Sequence, residues 1–298
     1  MALTSMTGYA DRAGGAAGLT WTWEARSVNG RGLDLRLRLP EGAEGLDPAV
    51  RQAFGAVLAR GNVTVALRLG RAEGGAAPRL NAEALAGILA AAAETEKAAA
   101  EAGLALAPMT AAELLALRGV MEVEADPGAA RPEVRAALLA DVAPLAEALV
   151  AARRAEGAAL AAVLMARLDE TARLAAAARQ AAEARAARTG ALLRERVAAL
   201  IEAKDGLDEP RMAQELALIA VKADVTEELD RLDAHVAAAR ALVTKGGAVG
   251  RKLDFLMQEF NREASTLCAK AQSAELTAIG LELKVIIDQM REQVQNVE

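Results

Sequence analysis

The stretch LTWTWEARSVN, residues 19–29, alternates apolar and polar side chains. Trp21, Trp23 and Ala25 share one face of an extended chain, and Thr22 and Glu24 share the other. A period of two is typical of a half-buried β-strand. The stretch therefore predicts a strand whose apolar face packs on a core.

The same alternation recurs in LDLRLRLP, residues 33–40, and in NVTVALRL, residues 62–69. Asn29 and Gly30 lie between the first two stretches and favour a tight hairpin turn with positive φ. We therefore predict a small antiparallel sheet with one apolar face. Its other face carries the arginines Arg26, Arg36, Arg38 and Arg68. Such a face is typical of a solvated surface, and contact with RNA is the alternative.

Helical patterns follow a Gly/Ala/Pro linker at residues 71–80. Residues 81–102 and 110–119 have helical spacing, and Thr110 and Glu113 form a capping box at the start of the second segment. A hydrophobic fraction of 53% with only 2% aromatic residues also favours helices built on Ala and Leu. The order of elements predicts an α+β fold, with a small N-terminal antiparallel β-sheet domain before a mainly α-helical part with long coiled-coil-like helices.

Residues 131–208 are rich in Ala, Arg, Glu and Leu and predict a long helical hairpin arm, interrupted at Pro144, Gly157 and Gly190. The predicted organisation has four segments. They are an N-terminal β-rich domain at 1–75, connecting helices at 76–130, the arm at 131–208 and a C-terminal helical signature domain at 209–298.

The C-terminal segment contains a heptad-like pattern that predicts a helix packed lengthwise on a neighbour. Its apolar members are Leu218, Val221, Val225, Leu229, Leu232, Val236, Ala239 and Val243. The helix is predicted to end at the glycines of KGGAVG, residues 245–250. A similar pattern predicts a last helix at residues 274–294.

The stretch between these two helices is GRKLDFLMQEFNREASTLCAK, residues 250–270. Its apolar stripe consists of Leu253, Leu256, Met257, Phe260, Ala264 and Leu267. Lys252, Glu259, Glu263 and Lys270 form a column along one margin of that stripe. Because Glu259 and Glu263 are four residues apart, they repel each other on a helix. Either the flanking lysines or a bound cation can offset that repulsion.

The preceding helix carries a matching polar column of Asp224, Glu228, Arg231 and His235, the last being the sole histidine of the chain. An acid and histidine column can bind a divalent ion or supply a general base. It is also typical of a solvated helix face with a Glu228–Arg231 ion pair. The pattern alone favours the solvated face.

Several function classes are excluded by composition and motif. A single cysteine, Cys268, excludes an intramolecular disulfide and a multi-cysteine metal site, and it is interpreted as a packing residue. The sequence has no phosphate-binding GxxxxGK[ST] motif. A net charge of -6 argues against a generally basic nucleic-acid coat, although a local basic patch is compatible with it. Without a signal peptide or membrane span, we expect a soluble cytoplasmic protein.

Motifs along nearly the whole chain resemble the YicC/YloC family of bacterial proteins. They are SMTGYA at 5–10, EARSVNGRGLDLRLRLPEG at 24–42, RGNV at 60–63, ADVTEELDRLDAH at 223–235, the stretch at 250–270, ELK at 282–284 and MREQVQNVE at 290–298. The resemblance implies a metal-dependent endoribonuclease that forms ring-like hexamers with a central channel.

The resemblance also implies which residues of this chain matter. They are Arg26, Asn29, Arg31, Glu228, Arg231, His235, Arg251, Lys252, Asp254, Gln258, Glu259, Asn261, Arg262, Glu263 and Lys270. The chain departs from the family at Gly30 and Gly32, where His and Tyr are usual, so a catalytic histidine in that turn does not apply here. Ser265, Cys268 and Ala269 likewise replace the usual Asn, Gly and Ser.

The expected function is cleavage of phosphodiester bonds in single-stranded regions of small or structured RNA, in RNA turnover. Glu259, Glu263 and His235 are the expected catalytic residues, and these three together with Glu228 are the expected ligands of Mn²⁺ or Mg²⁺. The expected RNA-binding residues are Arg26, Arg31, Arg251, Lys252, Arg262 and Lys270. A homo-oligomer, a hexamer by the resemblance, is expected, with no membrane partner. The alternatives are a non-catalytic RNA-binding adaptor that presents RNA to another nuclease and a purely structural helical scaffold.

Overall fold

A computed structural model describes residues 2–71, 79–122, 131–203 and 209–298, and it confirms the α+β class. The strands are β1 (Gly8–Ala16), β2 (Leu19–Val28), β3 (Leu33–Arg38), β4 (Gly61–Arg71), β5 (Arg79–Leu80) and β6 (Met121–Glu122). The helices are α1 (Asp47–Val57), α2 (Ala82–Glu101), α3 (Ala111–Ala116), α4 (Pro132–Ala203), α5 (Glu209–Ala223), α6 (Thr226–Lys245), α7 (Gly250–Lys270) and α8 (Ala274–Val294). Within the described ranges, no helix combines the length and apolarity needed to cross a membrane.

The main sheet has the strand order β1-β2-β4-β3. The β1–β2 and β2–β4 pairs are antiparallel, whereas β3 runs parallel to β4. The hairpin predicted at Asn29 and Gly30 is therefore wrong, because β2 and β3 are not neighbours in the sheet. The hairpin instead joins β1 to β2 through Ala17 and Gly18, whose φ angles are 51° and 80°. Helix α1 connects β3 to β4, which allows these two strands to run parallel.

The apolar face of the sheet packs on α1 and on the first half of α4. Trp23 and Ala25 of β2 are fully buried there, as the alternation predicts. Phe54 of α1 and Leu145 of α4 cover them from the other side and are also fully buried. The N-terminal region therefore has its own core, to which α4 contributes.

Helix α4 is continuous over 72 residues and spans about 108 Å. The predicted interruptions at Pro144, Gly157 and Gly190 are wrong, and residues 132–203 form one helix rather than a hairpin. Gly157 serves a different purpose, since a Cβ at this position would collide with the Leu3 carbonyl oxygen. The division into four segments stays a prediction, and its boundaries at 75, 130 and 208 fall outside the described residues.

The second half of α4 packs with α6, α7 and α8 in a second core. In α6 the heptad residues Leu229, Leu232 and Val236 are buried. The pattern does not extend into α5, where Leu218 and Val221 are 48% and 71% exposed. The chain leaves the helical conformation between α5 and α6. There the Asp224 carboxylate accepts a hydrogen bond from the Thr226 amide at 2.9 Å, and α6 begins at Thr226.

The smaller helices follow the sequence closely. Helices α2 and α3 lie where the helical spacing predicts them, and the capping box of α3 is confirmed. The Thr110 amide donates to the Glu113 carboxylate at 2.7 Å, and the hydrogen bonds from Thr110 hold the pKa of Glu113 below its usual value. Helix α8 is capped by Ser273, whose hydroxyl accepts from the Leu276 amide at 3.2 Å.

Candidate functional site

The predicted apolar stripe of α7 faces the second core. Its buried members are Leu253, Met257, Phe260, Ala264 and Leu267, and Leu256 is partly buried against them. The start of α7 is fixed at Gly250, whose amide donates to the Glu298 carbonyl at 3.0 Å. A Cβ at Gly250 would collide with the Val297 carbonyl oxygen, so this position needs glycine. The rotation of α7 about its own axis is therefore set by the core along its length and by the C-terminal segment at its start.

This rotation brings three potential metal ligands together. His235 of α6 and Glu259 and Glu263 of α7 each offer one ligand atom, and these atoms all lie within 4.8 Å of one another. Glu263 is only 2% exposed. The His235 ring packs edge-on against Phe260 with a centroid separation of 5.6 Å, and its buried Nε2 atom has no hydrogen-bond partner. The cluster thus contains a buried carboxylate beside an unsatisfied imidazole nitrogen.

Two arginines partly offset the charge of this cluster. Arg231 lies 3.4 Å from the Glu263 carboxylate and also pairs with Glu227. Arg262 lies 3.7 Å from Glu259. The intrahelical Glu228–Arg231 pair of the solvated-face interpretation is therefore wrong, because Arg231 reaches across to α7 instead. No ion pair joins either flanking lysine to Glu259 or Glu263 within the described chain.

Glu228 lies outside the three-residue cluster. It is 4% exposed, and its Oε1 atom accepts a hydrogen bond from the Lys270 ammonium at 2.8 Å. This hydrogen bond raises the pKa of Lys270 above its usual value. The other carboxylate oxygen of Glu228 is buried without a partner. The structure therefore brings together three of the four expected metal ligands and places the fourth in a separate buried ion pair.

The donor set of the cluster fits a divalent cation. Carboxylate oxygens suit Mg²⁺ and Mn²⁺, and a neutral imidazole nitrogen suits borderline ions. Two carboxylates at this separation repel each other, and a buried nitrogen acceptor without a donor costs free energy. A cation between His235, Glu259 and Glu263 would remove both unfavourable terms.

Both parts of the chain match known sequence families. Residues 3–162 match the family described as "Endoribonuclease YicC-like, N-terminal region", and residues 178–298 match "Endoribonuclease YicC-like, C-terminal". The chain belongs to the YicC-like endoribonuclease family. A protein of Haemophilus influenzae named "Probable endoribonuclease YicC" is 39% identical over 285 residues, which cover 93% of each chain. A protein of the same name from Clostridioides difficile is 38% identical over 106 residues, or 36% of each chain.

The residues that the YicC-like resemblance implies for RNA binding lie in two parts of the molecule. Arg251, Lys252 and Arg262 are exposed on α7, whereas Lys270 is held by Glu228. In the N-terminal region Arg26 and Arg31 are exposed on β2 and on the connection that follows it.

The β2–β3 connection is tied to the C-terminal segment. The Asn29 side-chain amide donates to the Gln295 backbone carbonyl at 2.6 Å, and the same C-terminal segment contacts the start of α7. Gly30 lies in this connection, and a Cβ there would lie 2.9 Å from the Asn62 backbone nitrogen. Glycine at this position therefore accompanies a close approach of two backbones.

Cys268 faces Gly280 of α8. This contact agrees with its interpretation as a packing residue. Sequence reasoning did not single out Phe255, which is 59% exposed on α7 and precedes Glu259 by four residues. A signal for it exists, because Phe255 is an aromatic residue that falls outside the apolar stripe of its own helix.

Proposed function

We propose that this YicC-like protein is a metal-dependent endoribonuclease that cleaves single-stranded regions of small or structured RNA, in RNA turnover. The observation that carries the proposal is the convergence of His235, Glu259 and Glu263 within 4.8 Å on two packed helices. The names of the relatives support the reaction class, since both are called probable endoribonucleases.

The proposed roles follow from burial and charge. Glu259 and Glu263 hold Mn²⁺ or Mg²⁺, and His235 completes the set through its neutral Nε2 atom. The ion, when bound, supplies a more acidic water and offsets charge on the phosphate. Arg251, Lys252 and Arg262 are exposed on the same helix, where they can position the anionic backbone of the substrate. Glu228 and Lys270 support α6 against α7 from within the structure.

A homo-oligomer, a hexamer by the family resemblance, is part of the proposal. Its support is the apolar surface of α5, where Leu218, Ile219 and Val221 are exposed next to a cavity of about 530 Å³ between α4, α5 and α6. Exposed apolar patches of this kind commonly mark protein interfaces. In a ring, the basic residues of α7 would be multiplied around the assembly, which lets an acidic subunit bind RNA. Light scattering of the purified protein measures the mass of the assembly.

The test uses purified protein and a labelled short RNA, with EDTA or with added Mn²⁺ or Mg²⁺. We expect cleavage only with metal and expect the Glu259→Gln/Glu263→Gln variant to abolish it without changing the mass of the assembly. The matched control is Glu227→Gln, which removes an exposed carboxylate that also pairs with Arg231. Undiminished cleavage by a clean preparation of the double variant removes these carboxylates from the site. RNA binding by the wild type without metal-dependent cleavage identifies a non-catalytic adaptor instead.

A further inference from the structure

One exposed aromatic side chain lies just before the candidate metal cluster on α7. Most aromatic side chains of this protein are buried, namely Trp21, Trp23, Phe54 and Phe260. Phe255, in contrast, is 59% exposed. Because burying an aromatic ring is strongly favourable, a ring left in water by a folded helix with a complete apolar stripe does not serve the core of that helix. It is available to contact a ligand.

Phe255 borders a groove of about 590 Å³ between the end of α6 and the start of α7. The floor of the groove is apolar and includes Leu242 and Leu256. The charged residues among those that line the groove are all cationic, namely Lys245, Arg251 and Lys252, and no carboxylate is among the described residues that line it. The groove therefore favours a ligand that combines a flat apolar part with negative charge.

Two further features of α7 favour a phosphate-containing strand as the ligand. Neither Arg251 nor Lys252 forms an ion pair with any described residue, so both cations are available to a phosphate. Phe255 lies four residues before Glu259, which corresponds to about 6 Å along the helix and about 40° around it. A single nucleotide of an extended strand can span that distance. A strand that runs along α7 into the metal cluster from the start of the helix would therefore pass the ring and its basic neighbours.

We infer that Phe255, together with Arg251 and Lys252 at this groove, forms a nucleobase-stacking subsite that positions single-stranded RNA next to the metal cluster. The base lies against the ring, and Arg251 and Lys252 contact the adjoining phosphates. Stacking on an aromatic face tolerates any base, so the subsite selects unpaired over paired nucleotides rather than a sequence. The choice of RNA as the ligand rests on the proposed function.

The test measures equilibrium binding of a short unstructured fluorescein-labelled RNA in EDTA, where no cleavage occurs. From the usual effect of losing one aromatic stacking platform, Phe255→Ala should raise the Kd by about 5- to 150-fold. Phe255→Trp should restore binding, whereas Phe255→Leu should not, because leucine keeps the apolar contact without a ring. A ribose-phosphate chain without bases should bind the wild type and Phe255→Ala equally well.

The matched control is Leu281→Ala on α8, which removes an exposed apolar side chain of similar exposure, 55%. We expect this variant to leave the Kd for RNA unchanged. The inference is overturned if Phe255→Ala binds RNA as the wild type does, if Phe255→Leu restores binding, or if Phe255→Ala changes the mass of the assembly, since the ring then serves a contact between subunits. Because binding in EDTA is independent of cleavage, a failure of the metal centre leaves this result standing, and the reverse also holds.

Discussion

Replacing Glu263 with glutamine distinguishes two interpretations of the cluster, a metal centre and a network of ion pairs. The Glu263 side chain is 3% exposed, and its carboxylate lies near both a cation, Arg231, and a second carboxylate, Glu259. Glutamine keeps the size of the side chain and one acceptor oxygen but removes the charge. The two interpretations predict opposite changes in the free energy of unfolding.

The charges around Glu263 nearly cancel when no metal is bound. At 4.8 Å, which is the upper limit of the separation of their ligand atoms, and an effective dielectric of 20, the repulsion between Glu259 and Glu263 is about 3.5 kcal/mol. The attraction to Arg231 at 3.4 Å is of similar size before solvent screening, which weakens it because the Arg231 side chain is 47% exposed. The glutamine also avoids the desolvation of a buried carboxylate, which costs several kcal/mol in proteins. We therefore expect Glu263→Gln in EDTA to be within about 1 kcal/mol of the wild type or more stable.

Bound metal should stabilise the wild type more than the Glu263→Gln variant. At a Mn²⁺ concentration of about 100 times the Kd, binding stabilises the wild type by about 2.7 kcal/mol. If losing the ligand weakens binding about 100-fold, the variant gains only about 0.4 kcal/mol at the same concentration. The expected difference between the two metal-dependent increments is therefore about 2.3 kcal/mol.

The assay is urea denaturation followed by circular dichroism, with EDTA or Mn²⁺, for the wild type, Glu263→Gln and the Glu227→Gln control. Glu227 is 67% exposed and lies outside the cluster, so its variant should keep the full increment. The reasoning would be refuted if Glu263→Gln lowered the free energy of unfolding in EDTA by more than about 2 kcal/mol and Mn²⁺ stabilised the variant as much as the wild type. Glu263 would then be a structural partner of Arg231.

The remaining predictions concern stability. Lys270→Met leaves the buried Glu228 carboxylate without its cation and should lower the free energy of unfolding by about 1–3 kcal/mol. The cost is less than for a fully buried pair because the Lys270 side chain is 31% exposed. In urea denaturation, Glu228→Leu/Lys270→Met should recover most of the lost stability. Because Glu228 raises the pKa of Lys270 above 10.5, the contribution of the pair should be complete below that pH and should disappear as pH rises through the higher value; a constant difference between wild type and Lys270→Met at strongly alkaline pH would contradict this. Gly250→Ala should cost about 1–3 kcal/mol through collision with Val297, whereas Gly55→Ala in α1, where nothing lies within 4 Å, should be neutral or stabilising; equal thermal midpoints for the two variants would contradict the account.

Local periodicity predicts most of the fold. Helix α8 lies at residues 274–294, as the apolar repeat indicates. Strand pairing is a non-local property, and here the prediction is wrong. The connection after β2 is held by Asn29 against the distant Gln295 carbonyl, not by a partner strand. Strand β1 was missed because GYADRAGGA, residues 8–16, has no apolar alternation and owes its conformation to pairing with β2.

The sequence predicts which side chains of the candidate site share a helix face, but not which partners they contact. The helical repeat places Glu259 and Glu263 on one margin of α7 and His235 on one face of α6. It cannot assign the partner of Arg231, because that depends on how α6 and α7 are rotated against each other. The rotation is set by tertiary contacts such as the packing of Phe260 against His235. Helical spacing also leaves Glu228 on the same face as His235, and only the structure shows that Lys270 holds it.

The charge distribution along α7 gives a physical reason for placing both proposed activities on one helix. Arg251 and Lys252 stand in its first turn, which contains no acidic residue, although the helix dipole disfavours cations there by about 0.3–1 kcal/mol each. A bound anionic strand would offset this cost, because its phosphates would pair with both cations. The carboxylates follow two turns later, where they repel the same strand unless a cation offsets them. Under the proposed function, the metal therefore determines how far along α7 a phosphate can advance.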